Sequence, residues 1–426
     1  MPPYQTIDEA AVDDVAVAVA PAEPLRPWYT PRGLAARCVL HRNLIAFFVA
    51  GLLNNLVYVV MLSAAEHVLE GWAGAILLAD ILPTLIVKLS APFFMHRVPY
   101  TYRVVFCTVL AAFAFFSVAL FDSVFLKILG VCAGSLSSGA GEITFLAMSS
   151  RYSKNTVSTW SSGTGGAGLA GAGSYLVMTK WFDLSPSITL IALGWTPLVY
   201  IFAYLVILDR NPAPVVETAL PADTDKLIDG DGSEAIGSGS DAQGKSVAPA
   251  ASIDGPSPTS TLTLRQRVRL VRPLLVYMVP LFLVYLAEYT INQGVVAVYA
   301  GDDYATFQMM YQTGVFFSRS SVNVFRIEKL WILPVLQIAN VVILLFHAAY
   351  DIFPVFLSIY LFALYEGFLG GLVYVNGFYL ISTNVARQHR EFSMGVASVA
   401  DTFGISFAAL CAMAIERNMR GASSFR

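Results

Sequence analysis

Apolar residues run through this chain in long, unalternating stretches broken by short polar connections, and once by a long polar insert. Lipid-facing segments must satisfy their own backbone hydrogen bonds, so runs of this length predict transmembrane helices rather than barrel strands. The pattern predicts eleven helices: Asn43–Ala64, Ala73–Phe94, Val104–Leu120, Val124–Met148, Gly165–Met178, Ile188–Leu208, Pro273–Val298, Tyr304–Ser318, Leu330–Ala348, Val355–Tyr374 and Met394–Ala414. The eighth is short and polar, and a missed or re-entrant segment there changes the count to ten or twelve.

Composition agrees with this reading. Of 426 residues, 56% are hydrophobic and only 13% charged, too apolar for a soluble domain of this size. The formal charge of −3 comes mostly from the insert, which leaves no basic surface of the kind nucleic-acid binding needs. The four cysteines, Cys38, Cys107, Cys132 and Cys411, form neither a CxxC pair nor a disulfide framework. The first 40 residues read as an acidic, Ala/Pro-containing tail without a secretory leader.

Five parts follow: a tail (1–42), an N-terminal six-helix bundle (43–210), an acidic Gly/Ser/Pro-rich loop (211–264), a C-terminal helical bundle (265–415) and a second tail (416–426). Within Asn211–Thr261, eight acidic residues stand against two lysines, a composition expected to stay disordered. Basic residues fill alternate connections, at Arg97/Arg103, Arg151/Lys154, Arg265–Arg272, Arg319–Lys329 and Arg387/Arg390, which predicts a cytosolic N-terminus. Arg417, Arg420 and Arg426 fall on the opposite side in an eleven-helix chain, so either the rule is overridden there or a helix is miscounted. Two helical halves joined by a polar loop fit a major-facilitator-like layout, in which two bundles rock about a central site.

Ionisable residues inside the apolar runs are the candidates for function, because each is costly in hydrocarbon. Tyr285, Glu288, Tyr289 and Asn292 follow i, i+3, i+4, i+7 on the seventh helix and predict one polar stripe, for ligand contact or interhelical bonding. Gln308, Tyr311, Gln312 and Arg319 repeat the pattern on the eighth, with Arg319 suited either to an anionic ligand or to setting topology. Asp80, Thr84 and Lys88 are spaced by four, and Glu142 sits among small residues. Pairing of Lys88 with Asp80 or Glu142 would be structural, a salt lock or a proton relay. Asn54, Asn55 and Tyr58 give the first helix a polar patch, and Glu366 shares the ambiguity of the others.

Two overlapping GxGxxG matches, starting at Gly163 and Gly166, lack the strand a dinucleotide fold requires; Gly163, Ala167 and Gly171 read instead as a face for close helix contact. No metal-ligating or nucleophile motif is present, so neither a cofactor nor enzyme chemistry is expected. Asp223, Leu227 and Ile228 match an acidic dileucine sorting signal, and Tyr4 with Ile7 a tyrosine-based one, each readable by cytosolic adaptors.

The segments NNLVYVVMLSAA (54–65), LLADILPTL (77–85), SSGAGEITF (137–145), WSSGTGGAG (160–168), YLAEYTINQG (285–294), MYQTGVFFSRSS (310–321), YEGFLGGLVYVN (365–376), HREFSMG (389–395) and DTFGIS (401–406) together resemble the battenin family of lysosomal and vacuolar membrane proteins. The resemblance runs in order from about Arg42 to Cys411. It implies a major-facilitator-like protein tied to clearing glycerophosphodiesters from that compartment, and to its pH and basic amino acid content. It also draws Asp401 of DTFGIS into the candidate set. Animal members often end in a prenylation signal, which SSFR does not supply, and no usable N-glycosylation sequon is present. The expectation is a secondary transporter exporting a small anionic product, with Arg319 or Lys88 meeting a phosphate and Glu288 binding polar groups or a proton. The alternative is a membrane scaffold that recruits trafficking or pH-regulating partners, and a lipid-acting enzyme ranks third.

Overall fold

The computed structural model describes residues 31–68, 73–211, 264–296, 304–350 and 356–423. The acidic insert, the sorting patterns at Asp223–Ile228 and Tyr4–Ile7, and the last three residues lie outside them. The chain divides into two compact units, Met1–His41 and Arg42–Arg426, and the second holds everything discussed below.

The described residues are nearly all helical. In order they are α1 (Pro31–Val68), α2 (Ala73–Phe94), α3 (Tyr100–Leu120), α4 (Val124–Ser149), α5 (Asn155–Leu176, continued by a π turn, Val177–Trp181), α6 (Pro186–Leu193) and α7 (Thr196–Phe202, with a π turn, Ala203–Ile207). After the insert come α8 (Leu264–Tyr289, with a π turn, Thr290–Val296), α9 (Tyr304–Arg319), α10 (Ile332–Tyr350), α11 (Phe356–Asn384), α12 (Arg387–Ala397) and α13 (Val399–Ser423). Seven stretches among the described residues are both long and apolar enough to cross a bilayer. Outward-facing Ile86, Phe125, Leu198 and Val335 form the kind of apolar exterior that lipid, not water, covers.

Several boundaries differ from the hydrophobic pattern for local reasons. The fifth helix starts ten residues before Gly165, because Asn155–Trp160 is polar yet inward-facing, with Thr156, Val157, Ser158 and Trp160 buried. The sixth is broken at Gly194–Trp195 into two segments, the first opened by Pro186 and the second with Pro197 in its first turn. The tenth runs on to Asn384, past the expected Tyr374. The eleventh is two helices with a break at Ser398, the first of them the polar α12.

Contacts between the first six spans and the last five run through α2 against α13, α5 against α9 and α11, and α4 against α12. Close approach depends on glycine. On α5, Gly163 lies against the Phe48 carbonyl of α1, while Gly165 and Gly168 lie against Phe316, Arg319 and Gln312 of α9. A Cβ at Gly163 or Gly168 would overlap its neighbour, and one at Gly165 would be tightly crowded. The α9–α11 pair is in close contact from both sides, with Gly314 on the Leu364 carbonyl and Gly367 on the Tyr311 carbonyl.

At the end carrying the basic connections, polar contacts tie the halves together. Tyr100 Oη donates to Glu391 Oε1 at 2.8 Å, Arg151 lies 3.6 Å from Glu391 Oε2, and Phe93 meets Phe392 edge-on. Arg267 donates to the Phe93 carbonyl at 2.6 Å, and its two terminal nitrogens lie 3.3 and 3.0 Å from His96 Nδ1 and Nε2. Burial, and next the Arg267 charge, hold His96 below its ordinary value.

Replacing Gly367 with Ala should therefore cost about 1–3 kcal/mol through overpacking against backbone that cannot yield. Gly377→Ala on the same helix, where the nearest atom is Leu330 Cδ1 at 4.0 Å, should be neutral. Thermal unfolding of the two variants in detergent checks this, and equal melting temperatures would contradict it.

Candidate functional site

The centre of the molecule holds an ion cluster that joins the two halves. Lys88 of α2 reaches Glu142 Oε2 of α4 at 2.7 Å and Asp401 of α13 at 3.0 and 3.1 Å. All three are buried, so the pairings offset a desolvation cost that none of them could bear alone. Asp401 also accepts from the Thr402 hydroxyl at 3.0 Å. Glu142 Oε1 accepts from Tyr374 Oη of α11 at 2.8 Å, and the Trp160 indole lies 3.4 Å from the same hydroxyl.

Arg319, the last residue of α9, is held differently. Its Nη1 donates to Thr164 Oγ1 of α5 at 2.6 Å, its Nη2 to Tyr285 Oη of α8 at 2.7 Å, and its guanidinium carbon sits 4.1 Å from the centre of the Tyr374 ring. Its Nε has no hydrogen-bond partner, and no carboxylate among the described residues lies within ion-pairing distance of it. A buried cation held by hydroxyls and a π face keeps its charge available to a ligand.

A cavity of about 100 Å³ lies between these groups. Asn55, Tyr58, Asp80, Thr84, Lys88 and Glu142 face it from the first half, with Tyr285, Tyr289, Arg319, Tyr374 and Asp401 facing from the second. Small-molecule sites usually enclose about 300–1,000 Å³, so this cavity is smaller than such a site. The Tyr58 hydroxyl lies alongside Asp80 and Tyr289.

The predicted stripes divide rather than staying whole. Asp80, Thr84 and Lys88 all reach the cavity, as their spacing by four allows. On α8, Tyr285 and Tyr289 face it, but Glu288 and Asn292 turn toward α9 and α11, because successive residues are about 100° apart on a helix. Glu288 accepts a hydrogen bond from Tyr311, and Asn292 donates to Glu366 Oε1 at 3.0 Å and accepts from Gln308 at 3.1 Å. Gln312 packs on Gly168. Asn54 donates to the Ser138 carbonyl at 3.0 Å and sits against Gly141, a packing position, while its neighbour Asn55 reaches the cavity. Lys88 takes Glu142 and Asp401 as its partners, and the Asp80 carboxylate stands apart from that cluster.

Tyr374 and Thr164 went unremarked in the sequence, although one touches Glu142 and Arg319 and the other Arg319. The signal for Tyr374 was its place at i+8 from Glu366, with Gly370 between them on the same helix face.

The fold is that of major-facilitator transporters. The human organic anion transporter MFSD10 (TETRAN) matches with a TM-score of 0.51 at 14% identity, covering 89% of this chain and 97% of that one. The Escherichia coli fucose:proton symporter FucP matches with a TM-score of 0.54 at 14% identity, covering 90% and 98%. The profile of the CLN3 protein family matches residues 45–421, and the chain belongs to that family. Battenin of Canis lupus familiaris is 38% identical over 88% of this chain and 90% of its own length. Protein BTN1 of Chaetomium globosum is 39% identical over 87% of each chain, and Protein BTN1 of Saccharomyces cerevisiae 34% identical over 88% and 94%.

Lys88→Met should destabilise the protein by about 3–5 kcal/mol, since it leaves two buried carboxylates without their cation. Asp401→Asn should cost less, because Glu142 still neutralises Lys88. Parallel melting curves in one detergent test the ranking, and the reverse order would refute the division of charge described here.

Proposed function

We propose that this chain is a secondary transporter of the lysosomal or vacuolar membrane that exports small anionic products of lipid breakdown, glycerophosphodiesters, and so affects organelle pH and basic amino acid content. One observation carries the reading: Arg319 is a buried, fully charged group facing the cavity with no carboxylate of its own. A scaffold has no use for such a group, which is costly unless a ligand repays it. The planar guanidinium matches a phosphodiester's oxygens, and Tyr285, Tyr289 and Asn55 supply partners for the polyol. Lys88, already engaged by Glu142 and Asp401, serves instead as a tie between the halves that must loosen when the cavity opens.

Membership in the CLN3 family and the major-facilitator fold support transport over enzyme chemistry. One structural neighbour is described as an organic anion transporter, in keeping with an anionic substrate here. A cytosolic N-terminus and adaptor recognition of Asp223, Leu227 and Ile228 complete the proposal, motivated by the basic connections and the dileucine pattern.

Uptake of labelled glycerophosphocholine into proteoliposomes tests it. Arg319→Lys should weaken binding about tenfold or more, roughly 1.4 kcal/mol, because a point-like ammonium cannot reproduce the fork; Arg319→Ala should abolish it. Full substitution by lysine would sink the binding role and leave a topological one. For sorting, the double change Leu227→Ala with Ile228→Ala should divert the protein from the organelle by microscopy without lowering its melting temperature. Unaltered localisation would remove the signal from the proposal.

A further inference from the structure

Beside the cavity, wholly within the second half, lies a separate cluster of two carboxylates. Glu288 of α8 is 2% exposed and Glu366 of α11 not at all. Each has one oxygen bonded by a neutral donor: Glu288 Oε1 accepts from Tyr311 Oη of α9, and Glu366 Oε1 from Asn292 Nδ2 at 3.0 Å, which Gln308 in turn braces. Each has its second oxygen, Oε2, buried without a hydrogen-bond partner. Glu288 Oε2 is lodged against Gly370, one turn from Glu366 on α11, where any Cβ would strike it.

Among the described residues, no cation forms an ion pair with either carboxylate. Lys88 is engaged by Glu142 and Asp401, and Arg319 by Thr164 and Tyr285. Among the described residues, apart from the end carrying the basic connections, where Arg103, Arg267 and Arg390 are buried with Glu391, the buried carboxylates are Asp80, Glu142, Glu288, Glu366 and Asp401 and the buried lysine and arginine are Lys88 and Arg319. Unpaired carboxylates in hydrocarbon are costly enough that a surplus of acids has to be neutralised by something bound.

We propose that Glu288 and Glu366 form a proton-binding site, holding a proton on the open Oε2 edge, with Tyr311 and Asn292 as positioning residues. The groups facing it are Tyr285 and Tyr289 on α8, Tyr311 and Arg319 on α9, Glu366 itself on α11 and Asp401 on α13; α10, packed against the same elements, brings His347. Arg319 and Asp401 face both this pair and the cavity, and Arg319 is the cation of the two, so an anion drawing its guanidinium away would change the field on Glu288. Proton occupancy and anion occupancy are thereby linked. The linkage rests on the transport reading, whereas the proton site does not.

The test reads the protons directly. Infrared difference spectra of the full chain in liposomes, recorded across a pH step, should show a protonated-carboxyl band that Glu288→Gln and Glu366→Gln each diminish and Glu366→Asp retains at a shifted frequency. A spectrum unchanged in both glutamine variants would overturn the site, as would a band that responds to sodium at fixed pH. Should the glutamine variants fail to fold, the frequency shift in Glu366→Asp decides alone, and its absence counts against the site. In proteoliposomes, Glu366→Gln should lose pH-driven uptake of glycerophosphocholine while equal-pH counterflow persists. Loss of counterflow as well would overturn the linkage. No flux in the wild type would end the transport reading and leave the infrared result standing.

Discussion

Electrical neutrality in an apolar interior is the constraint on which this structure depends. Lys88 meets much of it by engaging two carboxylates at once, one from each half of the molecule. Without that double engagement, Glu142 and Asp401 would confront each other across the cavity as like charges, and α2, α4 and α13 could not close around it. Tyr374 extends the arrangement by bonding Glu142 while lying beneath Arg319, so a single aromatic side chain connects the two cationic centres.

The second requirement is proximity, since hydrogen bonds of 2.6–3.1 Å across helices demand backbones that nearly touch. Glycine on α5, α9 and α11 supplies it. Gly165 lets Arg319 come within reach of Thr164, and Gly370 gives Glu288 its place. The polar site and the glycine faces are therefore one design: the former fixes chemistry, the latter brings its members within bonding range.

Much of the fold was legible in the sequence, because span length and apolar continuity are local properties that a bilayer enforces. Boundaries failed where burial was polar, as at Asn155–Trp160 and His389–Glu391, since hydrophobicity cannot register a span that faces its own protein. Of the candidate site, the residue types and helical spacings were visible, but the partnerships were not. Lys88 and Asp401 are 313 positions apart, and nothing in either segment names the other. The splitting of Tyr285 and Tyr289 from Glu288 and Asn292 was implicit in the 3.6-residue repeat, yet which pair faced the cavity depended on where α9 and α11 lay.

The glycine-lined surfaces of α5 have a mechanical consequence. Where α5 meets α1, Gly163 and Gly51 each face backbone and no rotamers interlock, so sliding there is smooth, as in a plain bearing without teeth. Resistance to motion then resides in the charged contacts rather than in steric friction. If the chain transports an anion as proposed, its cargo is selected for how well its charge substitutes for the contacts it disturbs, and its bulk matters second.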